Sequence, residues 1–281
     1  IVNECSKDKS SAIARDFLQD ERFKLIENKE NIGKPKSVDK AIAQSTSQYL
    51  SIHDSDDWSE VQRFEKQIAF LEKHPDYVLC GTSFFEVDEN GHHPKRISMP
   101  ADYNSIKNDI VDKSQFHGPT ILFKREILKE VGGLFRYMKM GEDIDFTMRV
   151  VEKFKASNLD EALYYYRINN ESLTKSYKHD LKSKIRDRFL IKRLRKEREE
   201  SGQDSLMRKD EVTFEKHLQE IDHHYELHKN QYLDEYVSHL MSKNLFANSF
   251  KTVLYRINKE GTSLFKIKLL AFVLLKKIGL K

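Results

Sequence analysis

The sequence has few cysteines and no apolar run of membrane-spanning length. Cys5 and Cys80 are the only cysteines among 281 residues. This excludes a fold held by several disulfides and is typical of a reducing compartment, although one bridge between the two stays open. The apolar run from Leu269 to Leu275 is far shorter than the roughly 20 residues that span a bilayer. Because no secretory signal opens the chain either, we expect a cytoplasmic protein.

Charge of one sign is not in large excess. The net charge is +4, with 33% charged and 38% hydrophobic residues, which is typical of a soluble protein that buries a substantial core. Residues 181–281 have 22 Lys and Arg against 14 Asp and Glu, whereas residues 1–180 have 27 against 31. The two parts therefore face different partners. We do not expect nucleic acid as a partner, because acids are mixed with the basic residues and no nucleic-acid motif occurs.

Hydrophobic periodicity indicates the order strand, helix, strand, helix, strand over the first 52 residues. Such units connect through right-handed crossovers, so this order predicts an α/β domain with a largely parallel sheet. Helical periodicity dominates residues 181–281. We therefore predict two regions, an α/β domain over residues 1–180 and a basic helical region over residues 181–281.

Three carboxylates follow the β-type run Tyr49 to Ile52, and we call residues 54–57 the aspartate loop. Asp54, Asp56 and Asp57 would lie at the carboxyl end of a strand, where open α/β sheets bind ligands. Three like charges this close repel unless a cation lies between them, and oxygen ligands suit Mg²⁺ or Mn²⁺ shared with a substrate phosphate. The alternative is a solvated turn that caps the next helix.

A second acidic pair, Glu142 and Asp143, follows Gly141 at the start of a predicted helix. Helix N-termini stabilise carboxylates, so one interpretation is that either residue only caps the helix. The other interpretation is that a carboxylate here, close to the aspartate loop, takes a proton from a hydroxyl. The sequence alone leaves both open.

Six segments in register make residues 1–176 similar to family 2 glycosyltransferases with a GT-A fold. The segments are Ile1 to Asp8, Asn31 to Gly33, Asp54 to Asp57, Val131 to Phe135, Gly141 to Asp143 and Tyr166 to Thr174. Each is unspecific alone, but their order and spacing match the family. The resemblance implies a three-layer α/β/α sandwich with a mostly parallel sheet. It also implies inverting transfer of a sugar from a nucleotide diphosphate to a glycan or lipid-linked acceptor, in the synthesis of a cell-surface polysaccharide.

The resemblance assigns roles to both acidic groups. Asp56 and Asp57 would hold Mn²⁺ or Mg²⁺, which bridges the donor phosphates, with Asp57 as a direct or a supporting ligand. Asp54 would hold the ribose or the sugar of the donor. Asp143 would be the general base that deprotonates the acceptor hydroxyl, and Glu142 would orient the acceptor or replace Asp143 in that role.

Other residues match the family's donor contacts. Glu4 corresponds to the carboxylate that accepts a hydrogen bond from the nucleotide base, which favours a UDP-sugar. Arg167 and Ser172 would contact the diphosphate, and Asn31 and Gly33 belong to the same donor-binding set. The predicted acceptor contacts are His117 and Thr120.

The chain also departs from the family pattern. It starts after the family's first strand, so we expect a domain that is incomplete at its N-terminus. Asn3 and Cys5 replace an acid and a glycine of the usual Asp-Asp-Gly-Ser turn, which leaves the identity of the base open. Ser37 to Asp39 replaces the usual Ala-Arg-Asn run and removes a basic residue, for which Lys34 or Lys36 could compensate.

Two features of residues 181–281 invite functional interpretations. His217, His224 and His228 suggest a metal site, but we expect solvated or core-edge histidines, since no cysteine or carboxylate pattern accompanies them. Residues 262–281 combine the apolar run with flanking lysines. They fit a helix that lies on an anionic membrane at the inner face of the cell membrane. They fit equally a helix that docks on the core or forms a homodimer.

Three functions from different classes remain open. The preferred one is a metal-dependent glycosyltransferase. A non-catalytic sugar-nucleotide binder would explain the departures from the family pattern. A helical interaction protein dominated by residues 181–281 would keep its partner when Asp54 and Asp56 are lost.

Overall fold

The structure, a computed structural model, describes residues 1–111, 113–136, 141–169, 181–242 and 246–277. It divides into two compact units, Ile1–Ile168 and Asn169–Lys281. The boundary therefore lies before the predicted one at residues 180/181.

Strands and helices alternate along the first unit. Its strands are β1 Val2–Asn3, β2 Ile26–Glu27, β3 Tyr49–Ser51, β4 Trp58–Ser59, β5 Tyr77–Val87, β6 Lys95–Ile97, β7 Leu122–Lys124 and β8 Lys155–Arg167. Its helices are α1 Ser10–Asp16, α2 Lys34–Ala43, α3 Arg63–Lys73, α4 Tyr103–Asp109, α5 Ile127–Val131 and α6 Glu142–Lys153, with 3₁₀ turns at Phe17–Gln19 and Gly118–Thr120.

Strand pairing corrects the prediction of a mostly parallel sheet. β1 and β2 form a parallel pair, as the crossover pattern predicts. The other six strands form one sheet in the order β3-β7-β5-β8-β4, with β6 beside β5. Among its described residues β5 and β8 pair in parallel, whereas β3–β7, β5–β7, β4–β8 and β5–β6 are antiparallel.

Short connections explain part of this difference. A parallel pair needs a crossover of a dozen or more residues. β5 and β6 are instead joined by a turn in which the Gly91 N–H donates to the Asp88 carbonyl, with Gly91 at φ +81°. β3 and β4 are separated by residues 52–57 alone. The strand and helix order of the first 52 residues carries no information about these later pairings.

Helices cover both faces of the six-stranded sheet. Successive strand residues point to opposite faces, and on β7 Leu122 joins a buried cluster with Leu71 of α3. The next residue, Phe123, packs against Phe146 of α6, with ring centroids 4.9 Å apart. The three-layer α/β/α arrangement follows from this alternation.

Both cysteines are free. Cys80 lies in the core on β5, and Cys5 is exposed. Burial raises the pKa of the Cys80 thiol to about 12, so the thiol stays protonated. The bridge that the sequence left open is not formed.

A buried ion triad fixes helix α6. Asp145 is fully buried and is paired with Arg136 at 2.5 Å and with Arg149 at 2.9 Å. Arg149 also donates to the carbonyl oxygens of Gly133 and Leu134, at 2.7 and 2.6 Å. The loop after α5 is therefore tied to the second turn of α6, which holds the start of that helix in place.

The second unit is helical, as predicted. Its described helices are α7 Leu181–Ser201, α8 Glu211–Ser242, α9 Phe246–Glu260 and α10 Leu264–Lys277. Its core cluster comprises Tyr225, Leu233, Val237, Val253, Leu269 and Val273. Two of its histidines bond to neighbours through Nε2: His217 to Glu197 at 3.0 Å and His224 to the hydroxyl of Tyr232 at 2.7 Å. In the described ranges no helix has the length and apolarity needed to cross a membrane.

Candidate active site

The aspartate loop turns the chain sharply between β3 and β4. The Asp57 N–H donates to the Asp54 carbonyl across the turn. The His53 ring braces it, with Nδ1 2.8 Å from the Asp54 carbonyl and Nε2 3.2 Å from the Ser59 hydroxyl. Asp56 lies exposed in the middle of the turn.

Asp57 is anchored by β8. Its two carboxylate oxygens accept hydrogen bonds from the Tyr164 hydroxyl and from the Arg167 N–H, both at 2.8 Å. Burial raises the pKa of Asp57, and the negative charges of Asp56 and Asp54 add to that, while the two hydrogen bonds oppose it. Asp57 thus holds the loop against the sheet.

Tyr164 is itself held by a buried cation. Arg63 of α3 is fully buried, and its guanidinium lies 5.1 Å from the centroid of the Tyr164 ring. It donates to the Pro119 carbonyl at 2.8 Å, and burial lowers its pKa to about 10. Arg63 therefore contacts Tyr164, and Tyr164 bonds to Asp57, so that the three residues together support the aspartate loop.

Lys34 brings a positive charge to the acidic groups. This first residue of α2 lies with its ammonium 2.9 Å from Asp54 Oδ1. Burial disfavours the charged ammonium, but the negative charges of Asp54, Glu142 and Asp143 outweigh it and raise the Lys34 pKa. The lysine thus interacts with both predicted acidic groups, and it is one of the two residues proposed to replace the missing arginine.

The second acidic pair begins helix α6. Gly141 precedes the helix in the left-handed conformation, at φ +80°. Burial raises the pKa of both Glu142 and Asp143, and the Lys34 charge opposes this. Asp143 also accepts a hydrogen bond from the Ile144 N–H at 2.9 Å. Each carboxyl is therefore held in a site that favours its protonated form more than water does.

A glycine lies directly against Asp143. A methyl group on Gly118 would come within 2.7 Å of Asp143 Oδ2 and 3.0 Å of its Cβ. The missing side chain at Gly118 is thus what lets the 3₁₀ turn after His117 approach the carboxylate.

His117 is packed among aromatic rings next to this turn. Its ring stacks on Phe84 at 4.0 Å between centroids and meets Tyr166 edge-on at 5.0 Å. Burial lowers the His117 pKa to about 4, with a small opposing effect of Asp54. The ring is therefore neutral near pH 7.

Thr120 does not lie where the sequence predicted. It is fully buried, and its hydroxyl donates to the His117 carbonyl at 2.8 Å. A side chain without exposed surface cannot touch an acceptor. Thr120 instead stabilises the turn that carries His117.

The predicted donor residues near the N-terminus form one network. Glu4 accepts hydrogen bonds from the Asn28 amide at 2.8 Å and from the Ile32 and Gly33 N–H groups at 3.1 and 3.2 Å. Asn31 Oδ1 also accepts from the Gly33 N–H, at 3.0 Å. Gly33 has φ +83° and caps α2. Glu4 and Asn31 therefore set the position of the helix that begins with Lys34.

Arg167 supports the aspartate loop from the other side. Its guanidinium donates to the carbonyl oxygens of Asp56 and Glu89, at 2.8 and 2.7 Å, and covers the Trp58 ring at 5.0 Å. Ser172, the other predicted diphosphate contact, lies outside the described residues.

The possible metal ligands around the aspartate loop indicate which kind of metal site it can form. In the part of the chain that the structure describes, no three His, Cys, Asp or Glu side chains are placed to share a metal ion. Proteins commonly hold Mg²⁺ through one or two carboxylates together with substrate phosphates. Asp56, with Asp54 nearby in the loop, therefore fits a divalent ion that binds together with a diphosphate rather than one that the protein binds alone.

Residues 1–132 match the family model described as glycosyl transferase family 2. These residues are therefore similar to that family. The matched range includes the aspartate loop, Lys34 and His117, while Glu142 and Asp143 lie beyond it.

This chain spans less than two thirds of the length of each of three curated relatives. EpsE of Bacillus subtilis, provisionally named a glycosyltransferase, is 32% identical over 179 residues, covering 61% of this chain and 63% of EpsE. The O-antigen biosynthesis glycosyltransferase WbnJ of Escherichia coli is 30% identical over 139 residues, 48% of this chain and 54% of WbnJ. The amylovoran biosynthesis glycosyltransferase AmsE of Erwinia amylovora is 26% identical over 152 residues, 54% and 56% of the two chains.

Solved structures establish the fold. Residues 1–349 of TarS from S. aureus align with 99% of this chain and 81% of theirs, at a TM-score of 0.52 and 17% identity. The mannosyltransferase PcManGT from Pyrobaculum calidifontis, solved with GDP-Man and Mn²⁺, aligns with 99% and 70%, at a TM-score of 0.50 and 16% identity. The chain has the GT-A fold of these transferases, as the resemblance implies.

Proposed function

We propose that this protein transfers a sugar from a nucleotide diphosphate donor, with UDP-sugars preferred, to a hydroxyl of a glycan or lipid-linked acceptor. The observation that carries the proposal is the convergence on Lys34. One ammonium bonds Asp54 of the aspartate loop and interacts with Glu142 and Asp143 at the start of α6. Donor-binding groups and a candidate base therefore share one site.

The aspartate loop serves the diphosphate side of the reaction. Asp56, with Asp57 as a direct or a supporting ligand, would hold Mn²⁺ or Mg²⁺, which when bound neutralises charge on the departing nucleotide diphosphate. Asp54 would hold the ribose or the sugar of the donor. Asp57 keeps the loop in position through Tyr164 and the Arg167 N–H. Lys34 adds a fixed positive charge for the phosphates.

Asp143 serves the acceptor side. Its ionised carboxylate takes the proton of the acceptor hydroxyl while that oxygen forms a bond to the anomeric carbon and the bond to the diphosphate breaks, which inverts the anomeric centre. The raised pKa of Asp143 makes its carboxylate a stronger base. Glu142 orients the acceptor, and the neutral ring of His117 lines its approach beside Gly118.

Glu4 would accept a hydrogen bond from the nucleotide base, which favours a UDP-sugar, and Arg167 would contact the diphosphate. Both residues, with Asn31, also support the backbone around the site. Glu4 and Asn31 hold the Gly33 turn, and with it the start of α2. Arg167 holds the Asp56 carbonyl, and Ser172 is proposed as a diphosphate contact from the family pattern alone.

The setting of the reaction is proposed from the relatives. WbnJ and AmsE are named for O-antigen and amylovoran biosynthesis, which supports a role in synthesis of a cell-surface polysaccharide. A lipid-linked acceptor would place the reaction at the inner face of the cell membrane.

Titration calorimetry with UDP, with and without Mn²⁺, tests the proposal. We expect binding that requires Mn²⁺ and that is lost in Asp56→Ala. The matched control is Asp109→Ala, which removes a carboxylate from the exposed surface of α4, where it pairs with Lys113, and should bind as the wild type does.

Two further outcomes test whether the protein is a catalyst and whether the proposed donor site is right. Binding without hydrolysis or transfer of any UDP-sugar would favour the non-catalytic binder. If the folded protein binds none of UDP, GDP, CDP and dTDP in the presence of Mn²⁺, the proposed donor site is wrong.

A further inference from the structure

Helix α10, residues Leu264–Lys277, contributes one of its sides to the core of the second unit. Leu269 and Val273 are buried in a cluster with Tyr225 of α8 and Val253 of α9. Lys266 on this side is buried too, and its ammonium donates to the Gly261 carbonyl at 2.9 Å, just after α9. One side of the helix therefore packs on the core of the second unit.

The opposite side of α10 is also apolar, and it is exposed. Leu264 is 69% exposed, Ile267 50%, and Leu274 and Leu275 46% each. At 3.6 residues per turn these four positions cluster on the side away from Leu269 and Val273. We call them the exposed apolar side. A helix that is apolar all round is normally covered on all sides, yet the described residues leave this side largely uncovered.

The charges on α10 are of one sign. Lys268, Lys276 and Lys277 are exposed on the same helix, and residues 261–281 contain no Asp or Glu. The combination of exposed leucines with lysines, on a segment that contains no acids, suits a surface that offers both apolar groups and negative charge.

We propose that the exposed apolar side of α10 lies on an anionic lipid bilayer, with its leucines among the acyl chains and its lysines at the lipid phosphates. With 14 residues the helix is about 21 Å long, less than the roughly 30 Å of a hydrocarbon core. It therefore lies along the surface rather than across it.

Charge argues against a second copy as the occupant. In a two-fold interface the same patch meets itself, which would bring the lysines of two copies of α10 close together without acids on α10 to neutralise them. A bilayer with anionic headgroups supplies the missing negative charge. The proposal concerns a surface outside the candidate active site and does not depend on sugar transfer.

Vesicle binding of the full chain tests this proposal. Phosphatidylcholine vesicles with and without phosphatidylglycerol are sedimented with the wild type, the double variant Leu274→Ser/Leu275→Ser, and the double variant Lys276→Gln/Lys277→Gln. The control is Leu227→Ser, which changes a leucine that is 66% exposed on α8. All five substituted positions are exposed, so circular dichroism and thermal unfolding should match across the set.

We expect at least tenfold tighter binding to the anionic vesicles. The leucine variant should lose about tenfold or more, because apolar burial is lost, and the lysine variant should lose about tenfold on anionic vesicles alone. Added salt should weaken wild-type binding, and Leu227→Ser should bind normally. Absent vesicle binding, or equal binding by the leucine variant, overturns the proposal. A dimer in sedimentation equilibrium that the leucine variant abolishes, without vesicle binding, assigns the surface to a second copy instead.

Discussion

The ammonium of Lys34 lies 2.9 Å from a carboxylate oxygen of Asp54, although the two residues are in different elements. Lys34 starts α2, and Asp54 begins the aspartate loop after β3. Glu4 and Asn31 hold the Gly33 turn that places the lysine there. The pairing connects the N-terminal segment of the chain to the proposed diphosphate site.

Replacing Lys34 by Met should weaken UDP binding in the presence of Mn²⁺ by about ten- to a hundredfold. The variant loses a charged hydrogen-bond donor, worth roughly 1.5–3 kcal/mol, and leaves the acidic groups to repel the diphosphate. Calorimetry measures the change. Lys36 is an exposed lysine of the same helix, and the control variant Lys36→Met should bind UDP as the wild type does. If Lys34→Met binds UDP as tightly as Lys36→Met does, Lys34 is not part of the site.

Asp143→Asn should abolish transfer while UDP binding persists, because the amide cannot accept the acceptor proton. A loss of roughly 10²–10⁴-fold is usual for a general base, whereas Glu142→Gln should lose less. In the wild type the rate should fall as the pH drops through the raised pKa of Asp143, since the base becomes protonated. Transfer rates measured as a function of pH check the pH dependence. A larger loss of rate in Glu142→Gln than in Asp143→Asn would assign the role of base to Glu142.

The same variant should stabilise the fold at pH 7. Burial raises the pKa of Asp143 in the folded state, so the folded protein binds this proton more tightly than the unfolded chain. The tighter proton binding stabilises the folded state fully at pH values below the Asp143 pKa of the unfolded chain. This stabilisation is lost as the pH rises through the Asp143 pKa of the folded protein. At pH 7 the folded protein holds the Asp143 carboxylate as a buried anion, which destabilises it. A neutral amide removes this destabilisation, so urea unfolding should show a free energy of unfolding that is higher by about 1 kcal/mol. The difference should shrink at low pH. Lower stability at pH 7 would contradict the assignment.

Tyr164→Phe should weaken the Mn²⁺-dependent binding of UDP by about tenfold. The substitution removes the hydroxyl that donates to Asp57 Oδ2, and one such bond to a charged group is worth roughly 1.5–3 kcal/mol. Tyr165→Phe is the matched control, since it removes a neighbouring hydroxyl that donates to Glu60 instead. If both variants bind UDP alike, the hydrogen bond from Tyr164 does not position the loop.

Asp145→Asn should destabilise the protein by about 3–5 kcal/mol, because it removes the buried carboxylate that pairs with the buried guanidinium groups of Arg136 and Arg149. Urea unfolding followed by circular dichroism measures the loss. As a control, Asp160→Asn breaks an exposed pair with Arg96 and should change stability by less than about 1 kcal/mol. A similarly small loss in Asp145→Asn would mean that the triad does not support α6.

Local patterns in the sequence indicated where the two acidic groups lie along the chain. Both acidic groups lie beside turns that the sequence signals, at residues 54–57 and at Gly141, so their place at the ends of elements could be anticipated. The contacts that join Asp57, Tyr164 and Arg63 could not be anticipated, because the three residues come from three separate segments of the chain. Asp145 was equally hidden, since nothing in a single acid near a helix start indicates burial between two arginines.

Sheet direction and the role of Thr120 were misjudged for a related reason. Antiparallel pairing of β7 with β3 and β5 depends on how distant segments meet, and local periodicity does not encode that. Thr120 follows His117 closely in sequence, yet the 3₁₀ turn directs its hydroxyl back to the His117 carbonyl.

The sequence by itself determined which segments become strands and helices, where carboxylates meet turns, and that α10 is apolar with lysines alone as its charges. These properties depend on neighbours within a few residues. Only the tertiary structure decided that Lys34 reaches Asp54, that Gly118 borders Asp143, and that one apolar side of α10 stays exposed. Such relations depend on contacts between residues far apart in the chain, and packing of the whole fold selects them.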